Sequence, residues 1–258
     1  MSRLRAKCPD CRTLTAVAIG PEYQCHSCGA EFAAGMVRVP TAWGRGGHAM
    51  AEAARLPLRY PESAVVEESS LREQTLAVAA DLPERPLVLG GCCCAHVGAI
   101  EGLSARHDEL GVVWLDAHGD LNTPETSPSG NEWGMPLRMA IDSDAVDARH
   151  VALVGARNLD PPEAAYIESA GIRVGRSGVE TLLEQTRTVY VALDGDALEP
   201  AELACWMPEP NGLAIAEVEA LFELLRDEAD VVGAGVTGLL PDERNVPTLT
   251  RLLSALGL

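Results

Sequence analysis

The chain reads as an α/β protein, a parallel sheet with helices on both faces in three layers, preceded by a small cysteine-rich module. Three observations predict it. From residue 36 onward, short Val- and Leu-rich runs alternate with stretches of helical periodicity, as expected of strands buried on both faces and joined by crossover helices. Aromatic residues are only 4% of the chain while apolar residues reach 47%, so its core must be built from small and branched aliphatics. The first 35 residues follow a different rule: they carry two CxxC pairs and are too short a stretch for a core of their own. At 258 residues there is room for one large domain and such an appendage, divided as 1–35 and 36–258.

In the module, Cys8-Pro9-Asp10-Cys11 and Cys25-His26-Ser27-Cys28 make two knuckles. Four thiolates complete a tetrahedral zinc shell, and a structural zinc would staple a stretch this short. His26 lies between two ligands and reads as a knuckle residue. The main domain follows in order. Residues 36–40 read as a strand, 44–47 as a glycine loop, and 50–55 as the start of a helical pattern. Residues 68–80 suit a helix with Ser69 and Ser70 as candidate N-caps. A strand at 85–89 runs into Gly90-Gly91, and a helix follows over 94–105. The apolar run 111–115 is a strand and 121–134 a long polar loop. A strand at 151–155, a helix at 161–169, a strand at 188–193 and an amphipathic helix at 214–227 come next. A strand at 231–236 and a helix at 246–256 close the chain.

Two of these strands end in metal-ligand patterns. The run 111–115 leads into Asp116-Ala117-His118-Gly119-Asp120, and 188–193 leads into Asp194-Gly195-Asp196. Spacings of i, i+2 and i+4 aim side chains to one side of an extended segment. Carboxylates and an imidazole gathered at strand ends repel one another or go unsatisfied without a cation. Five such ligands suffice for two metals sharing bridging carboxylates, which can present water as hydroxide at neutral pH. Ligands of parallel sheets collect at the carboxyl ends of strands, where both clusters lie.

Composition excludes other classes. A net charge of −18 disfavours a nucleic-acid backbone as partner. Residues 1–35 hold four Lys/Arg and three Asp/Glu, so charge gives a nucleic-acid-reading ribbon little support either. No apolar run approaches a membrane span, and the N-terminus has no apolar signal core. Eight cysteines, four in CxxC pairs and three consecutive at 92–94, fit reduced thiols and metal ligation better than a disulfide framework. The expected compartment is therefore the cytoplasm.

The segment from Asp116 to Pro136, with Asn122, Ser127, Ser129, Asn131 and Trp133 inside it, resembles the signature loop of the ureohydrolases, the family of arginase, agmatinase and formiminoglutamase. Leu193-Asp194-Gly195-Asp196-Ala197-Leu198-Glu199-Pro200 resembles that family's second metal motif, with Glu199 where Asp is usual, and Gly90-Gly91 resembles the start of its first. The resemblance covers residues 36–258. It implies an arginase-like fold and a site for two manganese ions, with Asp116, His118, Asp120, Asp194 and Asp196 as ligands and Asp116 and Asp194 as bridges. A hydroxide between the metals would attack the carbon of a guanidino or amidino amino acid, releasing urea or an analogue. Asn122, Ser127, Ser129 and Asn131 match positions that bind the substrate's α-carboxylate, and Asp160 one that meets its α-amino group. His118, Asp120 and Trp133 are the candidate catalytic positions. The resemblance also implies a homo-oligomer, trimer or hexamer.

Three departures carry expectations of their own. Cys93 falls on the family's first histidine ligand; a thiolate there favours zinc or iron over manganese, or leaves one metal site weak. His96, three residues on, is the alternative. Trp133 replaces the histidine that assists proton transfer, and lines the pocket or stacks on a cationic substrate. Gly238 stands where a glutamate pairs with the guanidinium, which suits a bulkier or less basic substrate such as a hydroxylated guanidine; Glu243 is the candidate to compensate. The rival reading is a non-catalytic or single-metal relative that uses the ribbon to bind a partner.

Overall fold

The computed structural model describes residues 5–258. Near the start, β1 (Arg5–Ala6), β2 (Ala16–Ile19), β3 (Glu22–Cys25) and β4 (Glu31–Phe32) form a four-stranded sheet in that order, every pairing antiparallel. A second sheet begins two residues later. It contains β5 (Gly35–Val39), β6 (Glu62–Val65), β7 (Pro86–Gly90), β8 (Gly111–Leu115), β9 (Val151–Val154), β10 (Arg173–Val174), β11 (Thr188–Asp194) and β12 (Asp230–Thr237). Their order is β10-β9-β8-β11-β12-β7-β5-β6, and every pairing is parallel. The chain builds outward from β7 and β8, leaving a gap that β11 and β12 later fill. That gap brings four strand ends together.

The helices are α1 (His48–Ala51), α2 (Leu71–Asp81), α3 (Ala95–Ser104), α4 (Pro136–Asp142), α5 (Pro161–Ala170), α6 (Gly175–Leu183), α7 (Ile215–Glu228) and α8 (Asn245–Ala255). Alternate residues of each central strand face opposite layers. Leu87, Leu89, Val113, Leu115, Val191 and Leu193 pack on one side with Leu182 of α6, Phe222 of α7 and Leu252 of α8. Val88, Val112, Trp114 and Ala192 pack on the other with Val78 of α2, Ile100 of α3 and Leu137 of α4. Truncating such a fully buried leucine, Leu193→Ala for example, costs on the order of 2–5 kcal/mol. α2 starts as its sequence asks: Ser70 Oγ accepts from Glu73 N, and the Glu73 carboxylate accepts from both Ser69 and Ser70.

The structure adds four elements that periodicity did not reveal. β6 is a polar edge strand, β10 has two residues, α4 is short and opens on Pro136, and α6 begins at Gly175 with Gly178 inside it. Each has weak intrinsic preference and is held by neighbours. Among the described residues no helix is long and apolar enough to cross a membrane.

The small sheet is seated on the large one. Lys7 and Glu62 exchange backbone hydrogen bonds of 2.8 and 3.0 Å, extending the β6 edge. Arg59 donates twice to Asp10, at 2.9 and 2.7 Å, while its guanidinium lies 5.3 Å from the Phe32 ring centre.

Candidate metal centre

Sheet register builds the centre. Leu115 of β8 is level with Leu193 of β11, so Asp116 and Asp194 emerge side by side. Thr237 of β12 is level with Asp194, and Gly90-Gly91 after β7 lead to Cys93 just before α3. Asp116 to Asp120 converge by turns rather than by an extended pleat, which corrects the geometric expectation. β8 stops at Leu115, His118 N donates to Asp116 Oδ1 at 2.7 Å, and Asp120 takes a φ of +53°, a left-handed conformation Asp tolerates better than most. The second cluster turns likewise: Asp196 N donates to Asp194 Oδ1 at 3.0 Å.

Two donor triads result, Cys93–Asp116–Asp120 and Asp116–His118–Asp196, each with ligand atoms within 4.8 Å of one another. They share Asp116. His118 Nδ1 lies 3.3 Å from Asp116 Oδ1 and 3.2 Å from Asp196 Oδ2. Asp194 belongs to neither triad; its Oδ2 accepts from the Cys93 thiol at 2.9 Å and from Thr237 at 3.2 Å. Asp120 Oδ2 is buried without any hydrogen-bond partner, as is His118 Nε2, with Glu209 Oε1 3.9 Å away. Natural interiors rarely leave such atoms orphaned. An orphaned carboxylate oxygen inside a carboxylate cluster fits a bound cation.

Electrostatics point the same way. Burial, then the neighbouring Asp116 charge, holds Asp120 well above the usual carboxylate range. Burial and Asp196 push Asp194 up to about 6, and burial and Asp116 do the same for Asp196. Burial alone would lower His118, but its hydrogen bonds to Asp116 and Asp196 raise it to about 12. Burial, with the charges of Asp194, Asp120 and Asp116, pushes the Cys93 thiol well above its ordinary value. Each of these five groups holds its proton more tightly, as expected of a cluster lacking positive charge.

His96 does not face this cavity. It is fully buried, and burial lowers it to about 3, so the ring is neutral. Its Nδ1 lies 2.9 Å from the Tyr190 hydroxyl and its Nε2 3.1 Å from Thr237 Oγ1. The buried Tyr190 hydroxyl has no other acceptor within reach, so it donates to Nδ1. Nε2–H then donates to Thr237, and Thr237 donates to Asp194. The ring fits because residue 235 is glycine; a Cβ there would stand 2.7 Å from His96. Of the two candidates after β7, Cys93 therefore faces the carboxylates, and His96 orients Asp194 from behind.

A cavity of about 260 Å³ opens above the acids, lined by Asn122, Ser127, Ser129, Trp133 and Asp160 among the expected residues. Asn131 is absent from the lining; its Oδ1 accepts from Arg45 N at 3.0 Å. Asn122 Nδ2 donates to Asp160 Oδ2 at 2.9 Å. Glu243 is exposed and outside the lining, so it does not compensate for Gly238. Gly238 has a φ of +69°, and any Cβ there would collide with the Asp194 carboxylate, so no other residue could supply a charge from this backbone.

The sequence reading missed Glu163, Met50, Cys92, Trp206 and Met207, all in the lining. Glu163 fixes the site: its carboxylate accepts from Leu121 N at 3.0 Å and from Asp160 N at 2.9 Å. The pattern Asp160-Pro161-Pro162-Glu163 is a cap followed three residues later by Glu, and that signal was available. Nothing in sequence marks the others, which arrive from α1 and from the connections after β7 and β11.

In the small sheet, Cys8, Cys11, Cys25 and Cys28 form a third group of potential ligands. Cys8 and Cys28 sulfurs are 3.8 Å apart and Cys11 and Cys25 3.5 Å, near the roughly 3.8 Å that tetrahedral Zn–S bonds impose.

The chain matches the arginase family over residues 44–255. It is 35% identical over 189 residues to an arginase of Bacillus caldovelox, a match covering 62% of this chain and 63% of that protein. An arginase of Bacillus subtilis is 34% identical, with 62% and 64% covered. The matched part thus spans a little under two thirds of these curated relatives. The crystal structure of an arginase from Bacillus cereus superposes with a TM-score of 0.73 at 27% identity, covering 86% of this chain and 97% of that one.

Proposed function

We propose, for a chain that belongs to the arginase family, a metal-dependent hydrolase of a guanidino or amidino amino acid that breaks a C–N bond and releases urea or an analogue. The observation that carries this reading is the pair of donor triads sharing Asp116 at the floor of an open cavity. Cys93, Asp116, His118, Asp120, Asp194 and Asp196 would hold divalent metal, two ions or one, as manganese or, given the thiol, zinc or iron. When bound, such metal supplies positive charge and the Lewis acidity that makes water a nucleophile at neutral pH.

The chain's own residues do the rest. Asn122, Ser127, Ser129 and Asp160 stand at the mouth and orient the amino-acid head. Asp120 and His118, the candidate catalytic groups that can carry a proton, stand at the cavity floor where the departing nitrogen would lie, with Asp120 Oδ2 left for metal. Trp133 cannot carry a proton and instead lines the cavity wall, packed on Gly44. In a single-metal form the Asp116–His118–Asp196 triad is loaded and the Cys93 thiol keeps its hydrogen bond to Asp194. The four ribbon cysteines hold a structural zinc.

The test is urea release from arginine, N-hydroxyarginine, agmatine and guanidinoacetate by protein reconstituted with Mn²⁺, Zn²⁺ or Fe²⁺ and assayed for bound metal. Release that disappears in Asp116→Ala supports the reading. No release from a loaded cleft would move it to a binding role.

A further inference from the structure

The cavity has two unlike ends, and sheet order separates them. The polar end is built by loops after β8 and β9, which carry Asn122, Ser127, Ser129 and Asp160. The acids sit over β8 and β11. On the far side, the loops after β5, β7, β11 and β12 supply Met50, Cys92, Trp206, Met207 and Gly238. Trp133 reaches across to join them, packed on Gly44 of the loop after β5. A substrate whose head lies at the polar end and whose reacting carbon lies over the acids therefore extends its distal nitrogen toward this second wall.

That wall offers almost nothing to an N–H donor. Cys92 Sγ already accepts from Trp43 N at 3.3 Å, and Gly238 O has one of its two lone pairs taken by Trp206 N at 2.7 Å. The two indoles contribute only a donor each, and the methionine sulfurs are weak acceptors. The two NH₂ groups of an unsubstituted guanidinium would find fewer acceptors than donors against this wall, and each one left unpaired costs affinity. The wall is also held in place. Arg157 donates to the carbonyls of Pro210 and Glu209, at 2.9 and 2.8 Å, and fixes the loop that bears Trp206 and Met207.

We infer that this end is an apolar subsite for an alkyl substituent on the distal nitrogen, so that the substrate class is N-alkylated guanidino or amidino amino acids. The inference rests on the hydrolase reading above and narrows it. The step balances: the oxygen of one water joins the guanidino carbon and the bond from that carbon to the side-chain nitrogen breaks. That nitrogen takes both hydrogens of the water and leaves as an ammonium, alongside an N-alkylurea.

The test measures binding of arginine, Nω-methylarginine, Nω,Nω-dimethylarginine and N-hydroxyarginine to the metal-loaded full chain by calorimetry, with urea and methylurea release followed in parallel. An alkylated compound should bind about tenfold tighter than arginine. Trp206→Ala should erase that ratio. Because Trp206→Ala can also disturb folding, the exposed Met207 offers a second variant: Met207→Glu should reverse the order toward arginine. Arginine or N-hydroxyarginine binding as tightly as the alkylated compounds, an unchanged order in both variants, or binding of none of the four overturns the subsite. Alkyl-selective binding without release of any urea upholds the subsite and instead defeats the hydrolase reading.

Discussion

The two ligand clusters of this protein are built on opposite principles. Of the ribbon's four cysteines only Cys25 sits on a strand, and the other three lie in the connections between strands of two to four residues, with one exposed and one half-buried, and little apolar material beneath them. There a bound metal would make the structure. In the cleft, the acids project from the centre of an eight-stranded sheet packed on both faces, and strand register alone fixes Asp116 beside Asp194. Here the structure makes the candidate metal site and tolerates buried charge to do so. The difference teaches where stability comes from: removing metal should undo the ribbon and spare the cleft's scaffold.

Breaking each side separately is the largest test. Cys25→Ser should cost the ribbon its zinc and abolish protection of the 5–34 backbone in hydrogen exchange, while exchange in β8 and β11 stays unchanged. Asp116→Ala should do the reverse, weakening cleft metal affinity by at least about 100-fold and leaving the ribbon zinc, as counted by elemental analysis.

Protons sharpen the contrast next. Asp194 and Asp196 titrate near 6 in the fold against about 4 when unfolded. Between those values the folded state binds more protons, so raising the pH through them removes stability. His118, raised to about 12, acts in the same direction above pH 6.5. Metal-free protein should therefore melt at least about 5 °C lower at pH 8 than at pH 5, and saturating divalent metal should reverse the order. A metal-free transition that rises with pH contradicts this electrostatic account.

Cys93 offers a finer cut. Cys93→His should shift cleft preference from zinc toward manganese by about tenfold or more in competition experiments. With zinc held in the ribbon and cobalt in the cleft, the thiolate-to-cobalt absorption should vanish in Cys93→Ala. The smallest effect belongs to the seam between the regions. Arg59→Ala removes an exposed pair with Asp10 and should move the melting transition by no more than about 2 °C.

Much of this was legible in sequence because it rests on local pattern. The Val-Val-Trp-Leu run before Asp116 and the Val-Tyr-Val-Ala-Leu run before Asp194 announce buried strands, and acids at their ends announce the cleft. The ribbon is legible from cysteine spacing alone. What sequence hides is contact between distant loops. His96 is the alternative to Cys93 in sequence because it is only three residues on, yet α3 turns it toward Tyr190 and Thr237, into space that Gly235 leaves open. Asn131 looked like a pocket residue, yet the Arg45 backbone claims it. Trp206 and Met207 carry no pattern at all; a hydrogen bond to Gly238 and the Arg157 clamp bring them to the cavity.

The most direct measurement is the metal count of the wild-type chain and of Asp116→Ala combined with Asp194→Ala, each reconstituted with divalent metal and assayed for urea release. Ribbon zinc plus one or two further ions is expected in the wild type, and ribbon zinc alone, with no urea, in the double variant. Full retention of metal in the double variant would contradict the assignment of the cleft.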